Sequence, residues 1–176
     1  MKINLKQYIE DKIFITGISG SGKTTIANSI SKYADPTNPH QYLSLDYDFD
    51  YRYNNSILYV QDYFRNLPNR FVMDGIPYQA ENLIMNLDIF RQFNRSSGIK
   101  ILCLVPSDFE EWKQRILNKQ QALPYSSINF AIFYHKILPQ ITDLNIDYFD
   151  TCTNEYITLK QLYRRITWTD SLLKII

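Results

Sequence analysis

Residues 17 to 24 read GISGSGKT and place three of the chain's five glycines within six positions. The string satisfies G-x-x-x-x-G-K-[ST] at every fixed position, Gly17, Gly22, Lys23 and Thr24. Glycines allow a backbone to fold round an anion so that successive N–H groups point inward. Gly17, Ser19, Gly20, Ser21 and Gly22 are therefore candidate main-chain ligands of a phosphate chain. Lys23 has the length to reach β- and γ-phosphates, the Thr24 hydroxyl suits Mg²⁺, and Thr25 follows on the same turn. The chemistry implied is a nucleoside triphosphate site.

That chemistry needs a strand before the loop and a helix after it, since the positive helix end completes the anion site. KIFIT (12–16) reads as a short buried strand, and TTIANSISKYA has helical spacing with Ile26, Ile30 and Tyr33 on one side. DPTNPH (35–40) reads as a loop and HQYLSLD as a second strand. SILYVQDYFRNL (56–67) predicts a helix stopped by Pro68, RFVMD (70–74) a third strand, and the stretch around QAENLIMNLDIFRQF a helix. IKILCLV (99–105) is the clearest strand, and Ser107 with Glu110 forms a capping box for the helix EEWKQRIL. SINFAIFYHKILPQITDL predicts a helix kinked at Pro139, IDYFD (146–150) a fifth strand, and EYITLKQLYRRI (155–166) a closing helix. Strands alternating with helices predict a three-layer α/β/α fold of the P-loop NTPase type with a five-stranded parallel sheet.

The remaining composition narrows the field. A chain of 176 residues with 45% hydrophobic and 21% charged content is expected to form one soluble domain. No apolar run approaches the roughly 18 residues of a membrane span, and MKINLKQYIE is too polar for a signal peptide. Cys103 and Cys152 lack a CxxC or CxxH partner, so buried reduced thiols and a cytoplasmic setting are expected. His40 and His135 have no metal-ligand spacing. A net charge of +1 supplies no broad field for nucleic acid, though a local groove stays open. Fourteen tyrosines and ten phenylalanines, many of them within 42–64, set the chain apart.

Behind the glycine loop, three further segments in order resemble the adenylate kinase and nucleoside monophosphate kinase family across nearly the whole chain. FVMDGIPYQAENL (71–83) resembles the strand followed by D-G-F-P-R-T and Q-A-E. IKILCLVPSDFEEWKQRILNK (99–119) resembles the fourth strand, the V-P-x-D turn and the helix ending R-I-x-x-R. FYHKILPQITDLNIDYFDT (133–151) resembles the Y-H-x-x-T-x-P-L-I-x-Y-Y segment and the strand entering the adenine loop. The resemblance implies ATP as donor and Mg²⁺ as cofactor, with Asp74 holding the metal through water. It implies Arg115 over the donor base, Lys119 at a position facing the phosphates, and Asp150 to Thr153, including Thr151, beside the adenine.

The departures from that family bear on the acceptor. The arginine that grips the acceptor's phosphate is Tyr78 here, another expected arginine is Phe130, and QQALPYSS lacks the charged residues of a lid. A monophosphate acceptor is a dianion and wants such cations. Asp46, in YLSLDYDFDYRYN (42–54), sits where uridine kinases and polynucleotide 5′-kinases, which this segment resembles, carry the base for an attacking hydroxyl. Asp48 and Asp50 compete for the role. Arg52 is a candidate for an acceptor phosphate or sugar, and Tyr47, Phe49, Tyr51 and Tyr53 for stacking on a base.

The expectation is one kinase domain over residues 1–176, with a small acceptor-binding insertion near 46–68 and a short lid near 119–128. It transfers the γ-phosphate to a hydroxyl of a nucleoside- or nucleotide-type acceptor, free or within DNA or RNA. Lys23, Asp46, Arg115 and Lys119 are the catalytic candidates. Asp46, Tyr47, Arg52 and Tyr78 are the acceptor candidates, and Thr24 and Asp74 the metal candidates. The alternatives are a divergent nucleoside monophosphate kinase, with Arg52, Arg65 or Arg91 replacing the lost clamps, and a nucleotide-binding regulatory module.

Overall fold

The computed structural model describes residues 12–45, 62–63, 65–75, 98–141 and 144–170. Asp46 to Tyr53, Tyr78, Arg91, the helix expected around 79–93 and most of that expected at 56–67 lie outside the described residues. The strands are β1 (Lys12–Thr16), β2 (Gln41–Ser44), β3 (Phe71–Asp74), β4 (Lys100–Val105), β5 (Ile146–Asp150) and β6 (Glu155–Ile157). The α-helices described over their full length include α1 (Lys23–Tyr33), α2 (Phe109–Asn118), α3 (Leu123–Ala131) and α4 (Leu159–Arg165). The strands follow the hydrogen-bonded order β2-β3-β1-β4-β5-β6.

Two compact units divide the chain, one of Gly17–Gly22 with the residues from Leu102 onward, the other of β1 with Lys23–Ile101. In the unit holding β1, β3 pairs in parallel with β1 and with β2. Ile13, Phe14, Ile15 and all four residues of β3 are buried, as expected of strands covered on both faces. Helix α1 packs Ile26, Ala27 and Ile30 inward. Tyr33, read as part of that apolar side, is 66% exposed because the helix ends there. Arg70 pairs with Asp35 at 3.1 Å, tying the loop after α1 to the entry of β3.

β4 is buried from Ile101 through Val105, and its residues from Leu102 onward belong to the other unit. Helix α2 is capped one residue later than Ser107 predicts: Asp108 accepts from the Glu111 amide at 2.8 Å. D-x-x-E has the same capping chemistry as S-x-x-E, and the Ser107 carbonyl is taken by the Trp168 indole at 3.1 Å. Departure from α-helical geometry begins at Ile132, well before Pro139, as a π-helical stretch (Ile132–Ile137) followed by a 3₁₀ turn (Leu138–Ile141). The proline ring would meet the carbonyl four residues back in a regular helix, and the widened turns relieve that.

The sheet has six strands rather than five, and it is mixed. β6 runs antiparallel to β5, with Tyr148 opposite Ile157 and Asp150 opposite Glu155. Residues 155–157, expected to start the last helix, are drawn into the sheet by a tight reversal. Asp150 Oδ1 accepts the Cys152 amide at 3.0 Å, and Asn154 takes φ +59. Thr158 and Gln161 then form a reciprocal cap that starts α4.

Candidate active site

The loop of residues 17–22 needs glycine for both conformation and space. Gly17, Gly20 and Gly22 have φ of 132°, 79° and 92°, which side chains with a Cβ rarely adopt. A Cβ on Gly17 would lie 2.5 Å from the Leu104 carbonyl oxygen, and one on Gly20 3.0 Å from Ile116 Cδ1. The Ser21 amide closes a turn onto the Ile18 carbonyl at 3.2 Å. Helix α1 starts directly after this loop, with Lys23 as its first residue and Thr24 and Thr25 as the next two. A glycine-shaped turn leading into a helix N-terminus is suited to binding polyphosphate.

Helix α2 meets this loop within the same unit. The Trp112 indole donates to the Ser19 carbonyl at 2.9 Å, and Arg115 Nη1 lies 3.4 Å from the Gly20 carbonyl. Ser19 Oγ donates to Gln121 Oε1 at 2.6 Å. Arg115 also donates to Thr151 Oγ1 at 2.8 Å and to the Thr151 carbonyl at 3.2 Å, and it pairs with Glu111. Thr151 is buried, and its amide reaches the Val105 carbonyl at 2.8 Å. The structure thus joins Gly20, Arg115 and Thr151. Lys119 is exposed at the end of α2, with its amide bonded to the Ile116 carbonyl.

Next to Thr151, Asp150 is fully buried and bonded to Arg165 at 2.6 Å. Burial pushes its carboxyl up, but hydrogen bonds from Ser107, Arg165 and the Cys152 and Thr153 amides outweigh this and hold it below the usual range. Arg165 also reaches Thr153 Oγ1 at 2.8 Å and Glu155 Oε2 at 3.0 Å, fixing both sides of the reversal.

In the unit that holds β1, Thr24 Oγ1 donates to Asp74 Oδ2 at 2.7 Å, and Tyr42 OH donates to Oδ1 at 3.0 Å. Asp74 ends β3 and is 3% exposed. Burial, the Asp74 charge and their hydrogen bond push the Tyr42 phenol up to about 12, so it stays a donor near neutral pH. One hydroxyl and one carboxylate are hard oxygen donors. They fit Mg²⁺, which takes few protein ligands and keeps waters and substrate phosphates. Among the described residues no group of three or more His, Cys, Asp or Glu could hold a metal in an all-protein cage.

His40 is buried, and His135 pairs with Thr169 Oγ1; burial lowers the His135 pKa against the opposing charge of Asp170. Cys103 is buried, Cys152 half-buried, and neither is in a disulfide. No helix among the described residues is long and apolar enough to cross a membrane.

Sequence reasoning passed over Trp112 and Tyr42. Trp112 lies three residues before Arg115, so helical spacing puts both on one side of α2. Tyr42 lies two residues before Ser44, which pairs with Asp74 across β2 and β3, so both project from one sheet face.

No protein-family model matches the chain, and no curated protein matches it. Among solved structures, shikimate kinase from Acinetobacter baumannii in complex with shikimate matches with a TM-score of 0.50 at 11% identity. The match covers 97% of this chain and 96% of that one. At this identity the likeness speaks to architecture alone: the chain's α/β fold is similar to that of this kinase.

Proposed function

We propose that this chain is an ATP-dependent phosphotransferase of the P-loop type, with a three-layer α/β/α arrangement, acting on a hydroxyl of a nucleoside- or nucleotide-type acceptor. The observation that carries the reading is the glycine-shaped loop at 17–22 running into Lys23 and Thr24, with Thr24 hydrogen-bonded to Asp74. The main-chain amides cradle the triphosphate, and Lys23, Arg115 and Lys119 offset negative charge on the transferring group. Thr24 and Asp74 would hold Mg²⁺, which would supply charge neutralisation to the triphosphate when bound. Thr151 and Arg115 flank the nucleotide.

In the transfer, the acceptor oxygen forms a bond to the γ-phosphorus as the bond to the bridging oxygen of ADP breaks. The hydroxyl proton passes to the Asp46 carboxylate. Asp46 follows β2 by two positions, and a hydroxyl acceptor, unlike an ionised phosphate, requires a base. Tyr47, Arg52 and Tyr78 hold the acceptor. The Acinetobacter kinase of the same fold was solved with shikimate, which is not a nucleotide, so the fold also accommodates other small acceptors. Incubation with labelled ATP and panels of nucleosides, monophosphates and oligonucleotides tests the reading. Transfer to a hydroxyl supports it, and transfer to monophosphates alone overturns it.

A further inference from the structure

We propose that Trp112 is a positioning residue for the phosphate loop: its indole N–H fixes the Ser19–Gly20 peptide so that the Gly20 N–H faces the bound triphosphate. The inference rests on the reading of residues 17–24 as a triphosphate cradle.

Trp112 Nε1 donates to the Ser19 carbonyl at 2.9 Å. In a planar trans peptide the carbonyl of one residue and the N–H of the next point in opposite directions. Holding the Ser19 oxygen against the indole therefore turns the Gly20 N–H to the side of the loop away from α2.

The indole is a rigid anchor. Trp112 is 0% exposed and set among Phe130, Trp168 and Phe109 at centroid distances of 5.1, 5.5 and 6.1 Å. Gly20 complements it: a Cβ there would sit 3.2 Å from both Cδ1 and Nε1 of Trp112, and φ is +79. A buried indole N–H needs some acceptor, and here it takes a carbonyl of the loop itself. Arg115, one turn later, approaches the following carbonyl of Gly20, and Gln121 accepts the Ser19 hydroxyl.

Trp168 provides the control. It stacks on Trp112 at 30° in the same cluster, but its Nε1 donates to Ser107 and not to the loop. Calorimetric titration of wild type, Trp112→Phe and Trp168→Phe with MgATP and with inorganic tripolyphosphate separates anchoring from packing. The inference predicts that Trp112→Phe weakens both ligands about tenfold, the effect of losing one such donor. Trp168→Phe lowers thermal stability and leaves both affinities unchanged. Wild-type affinity in Trp112→Phe, or equal losses in the two variants, overturns the inference. Should Trp112→Phe fail to fold, benzothienylalanine at position 112 keeps the bicyclic shape and replaces the N–H with sulfur. Unchanged affinity there overturns the inference equally. Wild-type protein that binds neither ligand removes the cradle reading itself, and this inference with it.

Discussion

Thr24 and Asp74, fifty residues apart, are joined by a 2.7 Å hydrogen bond from the threonine hydroxyl to the carboxylate Oδ2. The bond connects the first turn of α1 to the end of β3, and Tyr42 occupies the other oxygen of the same carboxylate at 3.0 Å. Two hydroxyl donors thus orient one buried acid whose charge is available to a cation.

Asp74→Asn keeps the shape and removes the charge. Its apparent affinity for Mg²⁺ in the presence of ATP is expected to fall by about 10- to 100-fold, and Tyr42→Phe, which frees one oxygen, to cost about tenfold. Nucleotide binding followed as a function of Mg²⁺ reads both. A wild-type Mg²⁺ requirement in Asp74→Asn removes its metal role.

Gly20→Ala puts a side chain at φ +79 and presses it against Ile116 and Trp112. The left-handed conformation costs about 1–2 kcal/mol, which should show in chemical denaturation. MgATP affinity should fall with it, because the peptide must rotate or the helix must retreat. Unchanged stability and affinity would mean that the loop conformation is not required.

The Asp150 and Arg165 pair makes a pH prediction. The Asp150 carboxyl titrates below its ordinary value in the folded chain, so it contributes stability above the unfolded pKa of about 3.9. That contribution is lost as pH falls through the folded value. Asp150→Asn, at a site 0% exposed, is expected to lower stability at pH 7 by about 3 kcal/mol. Its thermal midpoint should also fall less steeply than that of wild type below about pH 4. Parallel pH profiles for the two proteins would contradict this.

Asp46→Asn tests the acceptor chemistry. A general base contributes about 10²- to 10⁴-fold, so kcat should fall by that order while MgATP affinity is kept. Asp48→Asn and Asp50→Asn identify the base if one of them has the larger effect. Strong sensitivity to Arg52→Ala with little to Asp46→Asn would favour a monophosphate acceptor.

Strands buried on both faces were readable from the chain alone. KIFIT, RFVMD and IKILCLV are apolar runs bounded by turn residues, and β1, β3 and β4 fall within them. The glycine loop was readable because its residue types are dictated by backbone geometry. β6 was not: EYI continues without a break into TLKQLYRR, and its strand state comes from the Asp150 turn and pairing with β5. The contacts of Trp112 with Ser19 and of Tyr42 with Asp74 depend on pairing between distant segments, which local periodicity does not encode. Asp108 rather than Ser107 caps the helix: both offer a side-chain oxygen at neighbouring positions, and the Ser107 side chain is hydrogen-bonded to Asp150.

The most direct measurement is equilibrium binding of ATP to wild type and Lys23→Ala, each with and without Mg²⁺. The loop of residues 17–24, acting as a triphosphate cradle, predicts Mg²⁺-assisted ATP affinity in wild type and its loss in a folded Lys23→Ala variant. Absence of affinity in wild type, or equal affinity in the two proteins, would contradict it.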